Sequence, residues 1–320
     1  MANALDADVR FGRGGSRLPW DGLPPRVRAR IEEGIGGRVI SAESQPGGFS
    51  PGAAARVVLD DGRHVFVKAA GTEPNPVAPT LHRAEARIAG ALPPEVPAPR
   101  LLFSHDDGDW VALVFEDVDG RPPRLPWVRD ELARVLDALG DLADTLTPSP
   151  VAAPPIESAL DDTFRGWRSL AADLPRLARV DAWAHHHLDR LIALETAWKE
   201  GAAGTTLLHL DIRADNLLLT PERVFVVDWP HACIGAGWVD LLLMLPSVAM
   251  QGGPKPWEAF DDHRVAHGLH PEAVTRIVCA LAGFFIAGSL RPAPPGIPNV
   301  REFQRLQGEE ALTWLRRRMG

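Results

Sequence analysis

Residues 207–230, LLHLDIRADNLLLTPERVFVVDWP, set two short apolar runs around a carboxylate at 211, an amide at 216 and a second carboxylate at 228. Runs of this length, bounded by polar loops, read as short buried strands. Such strands can bring the three oxygen donors Asp211, Asn216 and Asp228 together at their ends. Hard divalent cations such as magnesium take oxygen ligands and usually share them with phosphate. An aspartate that binds no metal can accept a proton from a hydroxyl nucleophile. Metal, base and a nearby cation are what phosphoryl transfer requires.

The rest of the chain changes character once. Before residue 118 the pattern is mostly extended. A short helix is expected at 23–36, starting near its prolines. GRVISAES, AARVVLD and HVFVKAA follow as candidate strands, the last two joined by the turn DGR. A glycine-rich loop, QPGGFSPG, joins the first two. LHRAEARIAGAL has helical spacing, and VPAPRLLFSHDDGDWVALVFEDV supplies two more strands about a turn at 106–109. Residues 35–118 thus predict a sheet of about five strands with one helix.

After residue 122 the period becomes helical. Val128, Leu132, Val135, Leu136, Leu139 and Leu142 form one apolar stripe. A single long helix is expected over 181–200, and further helices near 238–250, 256–267, 271–289 and 299–318. The sequence therefore predicts a small β-rich N-terminal lobe (1–116, with 1–20 a loose lead-in) and a larger, mainly helical lobe (117–320). The class is α+β.

A net charge of −8 is spread evenly, with an acidic surplus of four in residues 1–120 and four in the remainder. That surface argues against nucleic-acid binding. Two cysteines without a pairing pattern fit a reducing cytoplasm. The acidic N-terminus is unlike a secretory signal, and the apolar stretches are shorter than a bilayer needs. Only three of the 34 basic residues are lysine, Lys68, Lys199 and Lys255. A lysine inside the apolar strand HVFVKAA therefore stands out, and an ordinary surface ion pair would not account for it.

Taken in order, PGGFSPGAAARVVLDDGRHVFVKA, HRAEARIAGAL, LVFEDV, HLDIRADN and VVDWP resemble the motifs of aminoglycoside phosphotransferase-type small-molecule kinases, relatives of the protein kinases. The resemblance spans roughly residues 40–320. It implies a bilobal, protein-kinase-like fold and transfer of the γ-phosphoryl group of ATP or GTP to a hydroxyl of a small molecule. By position it makes Asp211 the catalytic base and gives magnesium to Asn216 and Asp228. Lys68, oriented by Glu85, would touch the α- and β-phosphates. Gly47, Gly48 and Gly52 would let backbone amides approach the phosphates closely, and Ser50 would add a hydroxyl. The backbone near Glu116 and Val118 would meet the purine edge, or serve only as an interlobe linker.

Other positions keep two readings. Arg213 either stabilises the transferring group or pairs with Asp215. Asp240 either steadies the catalytic loop or complements a helix dipole. His209 is expected to pack under the loop. Leu210 stands where the family commonly has glycine. Phe303, Leu306 and Trp314 form a packing stripe that could line an acceptor site. His185, His186 and His187 point about 100° apart on a helix and cannot all ligate one ion.

Twelve positions between Asp228 and Asp240 leave no room for a phosphorylatable activation segment, so no protein substrate is expected. The acceptor is expected to be an aminoglycoside or another antibiotic. Asp161, Asp162, Glu258, Asp261 and Asp262 are candidates for an acidic pocket. The alternatives are a housekeeping kinase of choline, homoserine or sugar type, and a non-catalytic nucleotide-binding protein of kinase shape.

Overall fold

A computed structural model describes residues 17–45 and 52–320. The chain runs through helix α1 (Pro25–Ile35), strands β1 (Val39–Ser44), β2 (Ala53–Leu59) and β3 (His64–Gly71), helix α2 (Val77–Ala89), and strands β4 (Leu101–Asp106) and β5 (Trp110–Glu116). Helices α3 (Arg129–Thr145), α4 (Ile156–Ala159), α5 (Gly166–Leu170), α6 (Leu174–Val180), α7 (Ala182–His186), α8 (Leu188–Thr196) and α9 (Lys199–Ala202) follow. Four short strands come next, β6 (Thr206–Leu208), β7 (Leu217–Leu219), β8 (Val224–Val226) and β9 (Cys233–Gly235). The chain ends in α10 (Val239–Met250), α11 (Pro256–Asp261), α12 (Pro271–Ser289) and α13 (Val300–Met319).

Packing divides these elements into two units. The first holds the described residues up to Pro123 together with Ala214–His231 and Ala293–Val300, and the second holds the rest. The sequence suggested one cut, at 116/117. By packing, the hairpin segment Ala214–His231 groups with the first unit.

In the first unit the five strands form one antiparallel sheet in the order β1-β2-β3-β5-β4. The β2–β3 turn closes as its sequence dictates. Gly62 takes φ 84°, its N–H donates to the Leu59 carbonyl at 2.9 Å, and the Asp61 carboxylate accepts from Arg63 N–H at 3.0 Å. Alternation along the strands then builds two faces. Val65, Val67 and Ala69 of β3 pack with Val57, Ala112 and Val114 against Val27 and Ile31 of α1. Burying a side chain of that size contributes roughly 1.5–3 kcal/mol. The opposite face carries Leu113, Phe115 and Phe66 with Ala86 and Ala89 of α2. Lys68 follows Val67, so it lies on this second face, opposite Leu113 in the β3–β5 register. Also on α2 is the buried His82, whose Nδ1 lies 3.1 Å from the Ala78 carbonyl.

The β7–β8 hairpin is tied into the same unit. Leu217 pairs with Val226 and Leu219 with Val224. Val226 N–H donates to Pro97 at 2.8 Å, and Arg121 and Leu219 exchange two backbone bonds of 2.7 and 3.1 Å.

In the second unit α12 is the central helix. It is long and apolar enough to cross a membrane, and its apolar residues, Val274, Ile277, Val278 and Leu281 among them, are buried inside the protein. Helices α5 and α12 meet at two glycines. A Cβ at Gly166 would stand 2.0 Å from the Gly283 backbone. That approach lets Trp167 Nε1 donate to the Cys279 carbonyl at 2.8 Å. Beside it the fully buried Glu195 accepts from Trp167 N–H at 2.8 Å and from Arg168 Nε at 3.0 Å.

The long helix expected over 181–200 is broken into α7, α8 and α9. Asp181 caps α7 by accepting from Ala184 N–H at 2.8 Å. His187 stacks on Trp183 with ring centroids 4.5 Å apart and sits at φ −101°, ψ 12°, outside helical geometry. The helix expected over 256–267 also stops early, at Asp261. There His263 Nδ1 accepts from Val265 N–H at 3.2 Å and starts a separate tight turn.

Two outcomes are expected of this packing. Gly166→Ala forces α5 off α12 and destabilises the protein on the order of 3 kcal/mol; an unchanged urea midpoint would show that the glycines do not touch. His82 is held neutral, near pH 4, first by burial and then by the charge of Lys68. The unfolded imidazole takes its proton near pH 6.5, so stability is lost as pH falls from about 6.5 to 4, by up to about 3 kcal/mol. His82→Leu removes that loss. The stability difference between the two proteins at pH 7 and pH 4.5 measures it, and parallel acid limbs count against it.

Candidate active site

The centre of the first unit's polar site is the amine of Lys68. It lies 2.6 Å from Glu85 Oε1 and 2.9 Å from Asp228 Oδ1. The Lys68, Glu85 and Asp228 side chains are 16%, 3% and 33% exposed, so this is an ion triad buried at the glutamate and open at Asp228, and not a surface pair. The Phe115 ring lies under the amine, 5.6 Å from its centroid. Each member comes from a different element: β3, α2 and the chain after β8. The triad has two carboxylates for one amine. Burial works against the charge on Lys68, and the two carboxylates outweigh it, so its pKa is raised. Burial likewise raises the Glu85 carboxyl, with Asp228 adding to the effect and Lys68 and the Trp229 N–H opposing it. The shortage of positive charge makes the cluster hold its protons.

Asn216 and Asp228 stand at the same end of the β7–β8 hairpin. Asn216 precedes β7 and is buried. Its carbonyl accepts from Val227 N–H at 3.0 Å, one residue before Asp228. Asp228 has φ 72°, the left-handed region that costs a non-glycine residue roughly 1–2 kcal/mol. Among the described residues no three His, Cys, Asp or Glu side chains gather as a metal cage. The amide and carboxylate oxygens of this pair suit a hard cation that takes few protein ligands and completes its shell with water and phosphate.

Asp211 and Arg213 belong to the second unit, in the loop after β6. That strand pairs with β9, not with the β7–β8 hairpin. Asp240, one residue into α10, accepts from His209 N–H at 2.7 Å and from Leu210 N–H at 2.8 Å. His209 is fully buried, and its Nδ1 accepts from Asp211 N–H at 3.1 Å. Leu210 sits at φ 65°, which explains physically why glycine suits this position. Both readings of Asp240 thus hold at once: it starts a helix and fixes the loop that carries Asp211. Burial raises its carboxyl to about 6, while the two N–H donors pull the other way. Arg213 pairs with Asp211, Nη1 to Oδ1 at 2.9 Å, and its guanidinium lies over the buried Phe303 ring at 5.6 Å.

Around the expected hinge, Glu116 is committed to the sheet edge. Its N–H donates to the Arg100 carbonyl at 3.0 Å, and its carboxylate pairs with Arg100 at 2.9 Å. The Val118 carbonyl accepts from Gly120 N–H and Arg56 Nη2, each at 2.8 Å. Arg56 also pairs with Asp117 at 3.1 Å. Sequence reasoning passed over Arg56, whose only signal is an arginine among the apolar residues of β2. Gly47, Gly48 and Ser50 lie outside the described residues. Of the candidate acidic pocket, Asp161 is neutralised by Arg165 and Lys199, and Glu258 accepts from Lys255 N–H at 2.9 Å. Cys233 is fully buried, and burial raises its thiol.

Comparison with known proteins identifies the family and the fold. The profile of the phosphotransferase enzyme family, APH, matches residues 47–276. An aminoglycoside 3'-phosphotransferase of Streptomyces ribosidificus is 27% identical over 188 residues, covering 55% of this chain and 70% of the relative. Among solved structures, the aminoglycoside phosphotransferase APH(4)-Ia, bound to ADP and hygromycin B, aligns with TM-score 0.58 at 12% identity, over 91% of this chain and 98% of that one. The choline kinase LicA of Streptococcus pneumoniae aligns with TM-score 0.59 at 13% identity, over 90% and 99%. The fold is therefore the kinase-like one, with a small antiparallel sheet and a mainly helical remainder, and the chain belongs to the phosphotransferase enzyme family, as a kinase whose acceptor group is an alcohol.

Proposed function

We propose that the protein transfers the γ-phosphoryl group of ATP or GTP to a hydroxyl of a small molecule in the cytoplasm. The observation that carries this reading is the ion triad of Lys68, Glu85 and Asp228, with separations of 2.6 and 2.9 Å. A lysine so held offers its charge to phosphate oxygens without freedom to wander. Glu85 fixes its direction. Asn216 and Asp228 would hold magnesium, which when bound neutralises phosphate charge. Asp211 accepts the proton of the acceptor hydroxyl, and Arg213, already beside Asp211, offers a forked cation to the transferring group. The chain around Glu116 and Val118 would meet the base of the nucleotide through whatever edge its hydrogen bonds leave open, and Gly47, Gly48 and Ser50, outside the described residues, would lie along its phosphates.

The favoured acceptor is an aminoglycoside or another antibiotic, on the strength of the Streptomyces relative. One observation favours a second reading, a housekeeping kinase of choline, homoserine or sugar type. Asp161, one of the carboxylates suited to a polycationic drug, is already neutralised by two basic side chains. Resistance conferred on a sensitive host across an antibiotic panel separates the two.

Purified protein with magnesium and ATP or GTP is expected to phosphorylate a hydroxyl compound. Asp211→Ala is expected to lower kcat roughly 10²–10⁴-fold while the fold survives. Full activity in that variant removes the assignment. Asp240→Asn gives His209 and Leu210 N–H one good acceptor where they had two. It is expected to cost about 1–3 kcal/mol of stability and to lower kcat with the donor KM unchanged. A variant as stable and active as the parent would falsify the positioning role of Asp240.

A further inference from the structure

Arg17 belongs to none of the motifs above, yet it is built into the first unit's polar site. Its backbone forms a parallel bridge with Gly52, and Leu18 N–H donates to the Gly52 carbonyl at 3.0 Å. Gly52 takes φ 132°, and a Cβ there would meet the Ala69 carbonyl oxygen at 2.4 Å. The start of β2 is thereby pressed against β3 one residue beyond Lys68. The far side of this anchor is apolar: Leu18 packs on the core that contains the buried Trp20 and Leu23. Arg17 is thus pinned from both directions, and it is half-buried. Its guanidinium is within electrostatic reach of the carboxylates of Asp228 and Asp215, and its charge, like that of Lys68, works against protonation of His82.

We propose that Arg17 is a second phosphate-contacting cation, joining Lys68 on the polyphosphate of the nucleoside triphosphate donor. The inference rests on the phosphotransfer reading of Lys68 and Asp228. The cluster of Lys68, Glu85 and Asp228 has one cation for two carboxylates. Arg17 reduces that excess from a fixed backbone position, so a polyanion entering beside Lys68 meets two cations. A guanidinium takes two oxygens of a phosphate at once, where an ammonium takes them as a point charge. Burial works against the charge on the guanidinium, and Asp228 and Asp215 favour it; a phosphate would do the same. Arg17 shares the electrostatic influence of Asp228 with Lys68, which contacts that carboxylate directly.

The test is equilibrium titration of the full chain with fluorescent ATP and ADP analogues and with adenosine, for the parent, Arg17→Met and Arg17→Lys. Arg17→Met is expected to weaken ATP binding roughly 10- to 100-fold, as the loss of a charge-assisted phosphate contact does. ADP is expected to lose less and adenosine nothing. Arg17→Lys is expected to recover part of the loss, and the donor KM to rise in parallel with kcat little changed. Unchanged ATP affinity, tighter ATP binding, or an equal loss for adenosine overturns the proposal, the last by making Arg17 a structural tether only. A parent protein that binds none of the three nucleotides strikes at the phosphotransfer reading itself.

Discussion

A buried amine facing two carboxylates organises the first unit. One cation for two anions is an unbalanced count, and burial makes the imbalance costly. The cluster persists because each group is held by backbone geometry. Lys68 is held by its strand register, Glu85 by one helix, and Asp228 by the end of a hairpin. Removing a partner would leave the others charged and dry, a change that typically costs several kcal/mol. The same unevenness makes the site receptive. Two carboxylates and a buried amide oxygen call for a cation, and the amine and the nearby guanidinium call for an anion. A metal–triphosphate complex carries both.

The backbone follows the chemistry. Among the described residues, the two non-glycine positions with left-handed φ are Leu210 and Asp228. Each directly precedes or forms part of the proposed machinery. Strain of this kind survives only where the surroundings over-determine it. Around Leu210 the restraint is Asp240, which accepts from two successive N–H groups. Around Asp228 it is the hairpin on one side and Lys68 on the other. The family's usual glycine would remove the strain at 210. Leucine is tolerated because the aspartate holds the turn from outside it.

Much of this was legible in the sequence, because its causes are local. Alternation in AARVVLD and HVFVKAA marked two strands, DGR their turn, and a lone lysine in an apolar strand its own exceptional status. The helix with Glu85 showed its period. What was not legible depends on distant partners. Nothing near residue 187 announces a helix break. It arises when the Asp181 cap and the Trp183–His187 stack outcompete continuous helix. The pairing of β6 with β9 and of β7 with β8 follows from packing, since three-residue strands carry too little pattern to choose partners. Spacing pointed from Arg213 to Asp215, and geometry adds Asp211 as a partner that spacing did not suggest. Arg17 had no motif to announce it. Its place follows from a glycine with room for no side chain.

The distribution of charge in the second unit bears on how the base works. Asp211 is held at both ends, its N–H by His209 and its carboxylate by Arg213. A base paired with a guanidinium is a weaker proton acceptor in the resting state than a lone carboxylate. The Phe303 ring offers the planar cation a flat, apolar surface, against which it can move without losing all of its contact. The proposed base is thus restrained by the same arginine to which the proposed function assigns the transferring group.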